Sequence, residues 1–208
     1  MPRKVDTNPR KQASQERSRL TVDVILEATT RVLIKDGYDR ASTNKIAAEA
    51  GLSIGSLYQY FPSKEALVAA VSERHSREVL QLIRGTLEKV ATSPIEMAAR
   101  ELVSVAIDAH RVNPKLHQVL AEEVPRIGRL KNVEAINHNV YQLVEGYLDA
   151  HRDEINVADL DIAAFICFTA VDALTHAAVL RRPDMLTNER AEIFVNGVTN
   201  LVVRYLKK

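Results

Sequence analysis

Few side chains in this 208-residue sequence stand at spacings that suggest chemistry. Asp172 and His176 are four apart in an apolar run, so on a helix they share a face and could hydrogen-bond. They are the nearest approach to an acid–base pair, and no nucleophile can be assigned to them. A structural pair is the competing reading. His110 and His117 are divided by Asn113-Pro114, which interrupts any helix between them, so they are not a helical metal pair. Cys167, the only cysteine, sits in Phe165-Ile166-Cys167-Phe168 with no basic neighbour to lower its pKa, and reads as core rather than a redox sensor. No Gly-rich phosphate loop, paired metal-ligand motif or nucleophile elbow is present. The residues therefore argue against an enzyme, and no cofactor or metal is expected.

The elements that position these groups follow from composition and punctuation. Hydrophobic residues make up 46%, charged residues 26% and aromatics 5%, with no tryptophan; abundant Ala, Leu, Glu and Arg favour helix. A single cysteine excludes an intrachain disulfide and suits a reducing, cytoplasmic setting. The opening Met1-Pro2-Arg3-Lys4-Val5-Asp6 lacks the apolar stretch of a signal peptide. The most apolar run, Ile162 to Leu180, is broken by Asp172 and His176 and reads as a buried helix, not a membrane span. Residues 1–65 carry eleven Lys/Arg against eight Asp/Glu, whereas the remainder carries seventeen against nineteen. Residues 1–17 form a basic, disordered tail, either merely solvated or adding phosphate contacts.

Glycine and proline divide the rest into helical blocks. The first, about Ser18 to Lys35, puts Val24, Ile25, Ala28 and Val32 on one face and stops at Asp36-Gly37, where glycine closes the helix. Short blocks follow at Thr43–Ala50, with Thr43 as N-cap, and at Ile54–Tyr60, capped by Ser53. Ser63 caps a long block to about Val90 with Leu67, Val71, Val79 and Leu82 among its apolar positions. Later helices span about Pro94–Arg111, Pro114–Glu123, a segment after Pro125 to His151, Ala158–Leu180 and Asn188–Lys207. No alternating β-rich segment occurs. The fold class is all-α, with about nine helices.

Two short helices around Gly51-Leu52-Ser53 match a helix-turn-helix. Ile46, Ala47 and Ala50 pack the first against Leu57 and the long helix before it. The second is then free to enter a major groove. The run from Thr43 to Leu67 (TNKIAAEAGLSIGSLYQYFPSKEAL) resembles the DNA-binding signature of the TetR family of transcriptional regulators, without gaps. With Tyr38 after Gly37, the match covers about residues 18–67.

That resemblance implies roles. Thr43 donates to a phosphate, Lys64 meets another at the start of the long helix, and Tyr60 adds a phenol-to-phosphate bond. Asn44, Ile54, Gly55, Ser56, Tyr58 and Gln59 face bases. Gln59 suits adenine, and Ile54 or Tyr58 a thymine methyl, while Gly55 lets the backbone approach. Core is the lesser alternative for Ile54, Ser53 reads as a cap, Lys45 as either contact or solvated charge, and Leu57 and Phe61 as core.

The family pattern further implies a C-terminal domain, residues 68–208, that binds an effector and dimerises. Its pocket candidates are His110, His117, Tyr141, Phe165, Phe168, Asp172 and His176, polar or aromatic groups in apolar surroundings. Ala163, Ala170 and Ala177 repeat every seven residues, and Ile193, Gly197, Leu201 and Tyr205 share a face of the last helix. Both stripes suit an interface with a second copy, or an internal core. The expectation is a homodimeric repressor that leaves a pseudo-palindromic operator on double-stranded DNA when a small molecule binds. An activator or corepressor-dependent regulator of the same fold, or a helical protein-interaction module, are the alternatives.

Overall fold

The computed structural model describes residues 16–127 and 130–207. Among them are nine α-helices, two short 3₁₀ turns and no strand. They are α1 (Glu16–Arg40), α2 (Thr43–Glu49), α3 (Ile54–Tyr60), α4 (Lys64–Lys89), α5 (Ile95–Val112), α6 (Pro114–Ile127), α7 (Lys131–Ala150), α8 (Leu160–Arg181) and α9 (Asn188–Lys207). The tail of residues 1–17 lies outside the described residues except for its last two positions, which begin α1. The chain divides into two compact units, one of residues 1–76 with 115–134, the other of 77–114 with 135–208.

The first unit is built around the inward face of α1. Ile25, Ala28, Val32 and Leu33 are buried at helical spacing, and Thr29 enters the same core because its hydroxyl donates to the Ile25 carbonyl at 2.8 Å. Val24, expected on this face, is 44% exposed; it lies one residue too far round the helix. Ile46, Leu57, Phe61 and Leu67 fill the centre, and Leu116 and Leu120 of α6 close it. Gly37 breaks the regular helix at φ 75°, a conformation that costs a side-chain-bearing residue energy. Asn113-Pro114 separates helices as expected, but α6 runs through Pro125 to Ile127, past its expected end at Glu123. Pro125 has no N–H to give, so the helix forgoes one backbone bond there and continues for only two further residues.

The second unit is organised by α5, which packs against both α8 and α9. Its buried Ile95, Ala99, Val103 and Ile107 fall at i, i+4, i+8 and i+12. Arg100 fixes α9 in place with a bidentate bond to Glu192 at 2.7 and 2.9 Å and a bond to Asn196 at 2.6 Å. Helix α8 is capped by Asp159, whose carboxylate accepts from the Ile162 amide at 3.0 Å. By length and composition α8 could cross a bilayer. Here Ala163, Ala164, Cys167 and Ala178 bury one of its sides in the core.

Candidate nucleic-acid interface and cavity

In the first unit, local chemistry sets the geometry of α2 and α3. Ser42, not Thr43, is the N-cap of α2, its hydroxyl accepting from the Lys45 amide at 3.3 Å. Thr43 is the first helical residue, which leaves its side chain free for another task. At the other end Gly51 takes φ 66°, and the Leu52 amide reaches back to the Ala47 carbonyl at 2.9 Å. That is the bond of a left-handed glycine cap. Ser53 caps α3, accepting from the Ser56 amide at 3.1 Å and sharing a 2.8 Å hydroxyl contact with Ser56.

Leu57 is fully buried and anchors α3. The opposite face presents Ile54, Gly55, Tyr58 and Gln59, all exposed, and Asn44 is exposed on α2. Ile54 is 37% exposed, and so belongs to this surface rather than the core. The hydroxyls of Thr43 and Tyr58 meet at 3.1 Å, joining the start of α2 to the outer face of α3. A methyl group added at Gly55 would meet only the Ser53 hydroxyl, at an ordinary 3.9 Å. Tyr60 is half-buried against the core. Lys45 is drawn to Asp36 at 2.7 Å, which with the neighbouring cations holds the Asp36 carboxyl below its usual range.

Lys64 is half-buried at the head of α4. Its ammonium donates to the Tyr38 carbonyl at 2.9 Å and stands 3.9 Å from the centre of the Tyr38 ring. The Tyr38 hydroxyl contacts Glu65 at 3.3 Å. Burial pushes the Glu65 carboxyl up, but its own backbone amide, Ser63, Tyr38 and the Lys64 charge outweigh that and hold it low. Tyr38 was the one aromatic in the signature without an assigned role; its contact with Lys64, 26 residues on, has no local signal in the sequence.

The second unit holds a cavity of about 870 Å³, counting the space at its mouth. Helix α5 lines it from Ile95 to His110, Leu82 and Leu87 of α4 and Val144 of α7 form further walls, and Val202 and Leu206 come from α9. Of the expected pocket residues, His110, Phe168 and Asp172 line it. Tyr141 packs its ring against Phe165 and Phe168 at 5.6 and 5.4 Å, and Phe165 itself is 52% exposed. His176 stands edge-on to His110 at 5.3 Å. Burial, reinforced by His110, lowers its pKa against the opposing pull of Asp172. His117 belongs to the first unit, edge-on to His75 at 4.3 Å. The Asp172 carboxylate is also within reach of His110 on α5, whose Nε2 is 3.4 Å away.

Two further polar groups line the cavity. The Tyr147 hydroxyl donates to the Ser93 carbonyl at 2.8 Å. Burial, with Glu154 and Glu96 nearby, pushes its pKa up to about 12. Burial alone pushes the Cys167 thiol up to about 11. The remaining lining is aliphatic or Phe168, and the alanines at 98, 99, 106 and 109 leave the room.

Ala163 requires a correction. It is fully enclosed by its own unit among Ile95, Ala99 and Leu148, because alanine is what lets α8 approach its neighbours closely. It cannot meet a second copy. The outward stripe of α8 is Ile162, Phe165, Ile166 and Leu174, each more than a third exposed. Ala170 and Ala177 are half-buried. On α9, Ile193 is 70% and Leu201 51% exposed; Gly197 is exposed and Tyr205 half-buried.

A reading helix presented on a packed support, joined in sequence to a helical unit with an apolar cavity, defines a helix-turn-helix transcriptional regulator. Residues 25–71 match the model described as bacterial regulatory proteins, tetR family, and residues 94–206 match the tetracyclin repressor-like C-terminal domain. The chain belongs to the TetR family. It is similar to the fatty acid metabolism regulator protein of Bacillus subtilis, 23% identical over 190 residues, spanning 85% of this chain and 94% of that one. Among solved structures, FadR of Bacillus subtilis in complex with stearoyl-CoA superposes with a TM-score of 0.69 at 22% identity, covering 88% of this chain and 98% of that one. A bacterial regulatory protein in the tetR family from Rhodococcus RHA1 gives 0.70 at 19% identity, covering 90% and 97%.

Proposed function

We propose that the protein is a cytoplasmic, homodimeric repressor that occupies a pseudo-palindromic operator and releases it when a long aliphatic ligand, an acyl chain, fills the cavity of the second unit. The observation that carries this reading is the run of the lining along α5. From Ile95 to His110 the helix advances ~22 Å at 1.5 Å per residue, and nearly every group facing the space is hydrocarbon. An extended alkyl chain advances roughly 1.25 Å per carbon, from C–C bonds of ~1.5 Å at tetrahedral angles. A chain of sixteen to eighteen carbons, roughly, fits that length. The stearoyl-CoA bound by the Bacillus subtilis relative is of this class.

The DNA-binding domain is assigned to residues 18–67 and the effector and dimer domain to 68–208. Thr43, Tyr60 and Lys64 position the unit on phosphates, and the exposed face of α3 with Asn44 reads bases. Ile162, Phe165, Ile166 and Leu174 on α8 and Ile193 and Leu201 on α9 are large apolar side chains left exposed, which favours a second copy as their cover. Two reading heads then address half-sites about 34–36 Å apart. The effector acts only through its unequal affinity for the DNA-bound and released states.

The test begins by recovering DNA bound to the protein in cells and sequencing it. Fluorescence anisotropy on that operator, titrated with stearoyl-CoA, should show affinity falling at least about tenfold at saturation. Unchanged affinity would remove the induction step, and increased affinity would make the ligand a corepressor.

A further inference from the structure

The polar end of the cavity restricts what an aliphatic ligand can carry there, an inference that rests on the effector reading above. One carboxylate, Asp172, lines the space, and the described lining residues include no lysine or arginine. The His110 imidazole, which is buried, lies 3.4 Å from that carboxylate, and His176 stands edge-on to His110 at 5.3 Å. The other polar lining groups offer no positive charge: the Tyr147 hydroxyl is committed to the Ser93 carbonyl and Cys167 is a buried thiol. An amphiphile threaded along α5 buries its tail against hydrocarbon and leaves its polar end where polar groups stand, since an unpaired polar atom among aliphatic side chains is costly.

We infer that Asp172 is a specificity-determining residue, which admits a chain ending in an uncharged group, such as an amide, alcohol or thioester, and turns away the corresponding free carboxylate. A carboxylate at that end meets a like charge with no lysine or arginine among the described lining residues to offset it, and a buried anion without a cationic partner is disfavoured. An amide loses none of this. It donates to the Asp172 oxygens and leaves the His110 contact in place. Asp172 is itself 53% exposed in its side chain, so water screens part of the repulsion and the discrimination is one of degree.

The experiment uses the full chain at about pH 8, where a fatty acid is ionised. Palmitate and palmitamide compete for the cavity against the fluorescent apolar dye N-phenyl-1-naphthylamine. Palmitamide should displace the dye at a concentration about tenfold lower than palmitate. In Asp172→Asn, which removes the charge and keeps the shape, that ratio should shrink to within about threefold, chiefly because palmitate improves. A merely structural role for Asp172 would weaken both probes together and leave the ratio alone. A wild-type ratio already within about threefold, or one that Asp172→Asn leaves unchanged, overturns the assignment while the aliphatic-chain reading stands. Failure of both probes to displace the dye removes the aliphatic-chain reading itself, and the assignment with it.

Discussion

The ammonium of Lys64 rests on the ring of Tyr38, 3.9 Å from its centre, and donates to that residue's own carbonyl at 2.9 Å. Two attachments from one residue hold a flexible four-carbon side chain in a single place. Lys64 is thus a pre-set charge at the edge of the reading surface, and less side-chain entropy is lost when a phosphate arrives.

Removing that charge should weaken DNA binding independently of sequence. Lys64→Ala is expected to lower affinity for operator and unrelated duplex alike by about tenfold and to reduce the salt slope by about one. Tyr38→Phe keeps ring and carbonyl and should bind nearly as wild type. Tyr38→Leu loses the cation–π contact, worth about 0.5–2 kcal/mol, and should fall between the two. Anisotropy against a salt series reads all three. A Tyr38→Leu protein with wild-type affinity and slope would mean that the ring does not position Lys64.

Gly55 separates the needs of the fold from those of recognition. Its place in α3 demands no glycine conformation, since its φ is ordinary and a methyl group there would contact only Ser53 at 3.9 Å. Gly55→Ala should therefore leave the fold intact and raise its stability by up to about 1 kcal/mol through helix propensity. If the backbone at Gly55 approaches the groove, the same change should cost operator affinity by about tenfold or more. Thermal melting and operator titration on one preparation give both numbers. Unaltered operator affinity would place Gly55 away from the DNA.

The reading unit was legible in the sequence because its constraints are local. A cap, a left-handed glycine and a buried Leu57 each act within a few residues, so their spacing is written along the chain. The error of one position at Ser42 and Thr43 belongs to the same scale, since either hydroxyl can cap and adjacent polar residues do not distinguish themselves. The cavity was not legible. Its walls are Leu82, Ala98, Ala106 and Val144, residues whose types say only core; what makes a space is that α5 presents alanines where packing would admit more. Polar and aromatic residue types mark His110, Asp172 and Phe168, which do line the space. They mark Phe165 equally, though it faces outward, because the periodicity of burial along α8 is blurred when nearly all its residues are apolar. Ala163 misled for the same reason: a seven-residue repeat marks a helix face without saying whether its partner lies within the chain or in a second copy.

Cys167 reports on the cavity wall. Its thiol is buried, and burial raises its pKa from about 9 to about 11. At about pH 8 the folded protein then holds about a hundredfold less thiolate than the unfolded chain. Iodoacetamide should label the native protein at least that much more slowly than the protein in denaturant, as read by mass spectrometry. The sign for stability follows. The folded state favours the protonated thiol, so the contribution is whole below about pH 9 and is lost as pH rises through about 11. Rapid native labelling at about pH 8 would show Cys167 to be open to solvent.

Filling the cavity should uncouple ligand from operator. Ala106 is half-buried and lines the space on α5, about one turn before His110. A phenyl group there enters an existing void, so the strain of overpacking a full core, about 1–3 kcal/mol, is largely avoided. Ala106→Phe is expected to fold, with a Tm at or slightly above that of the wild type, and to bind operator normally, because it lies in the unit that does not carry α3. Its response to stearoyl-CoA should disappear. A ligand at a hundredfold excess over its Kd stabilises a protein by about 2.7 kcal/mol, so the wild-type Tm should rise measurably and that of Ala106→Phe should not. Operator release should vanish in step. An Ala106→Phe protein that still releases DNA with stearoyl-CoA would mean that the effector acts somewhere other than the space along α5.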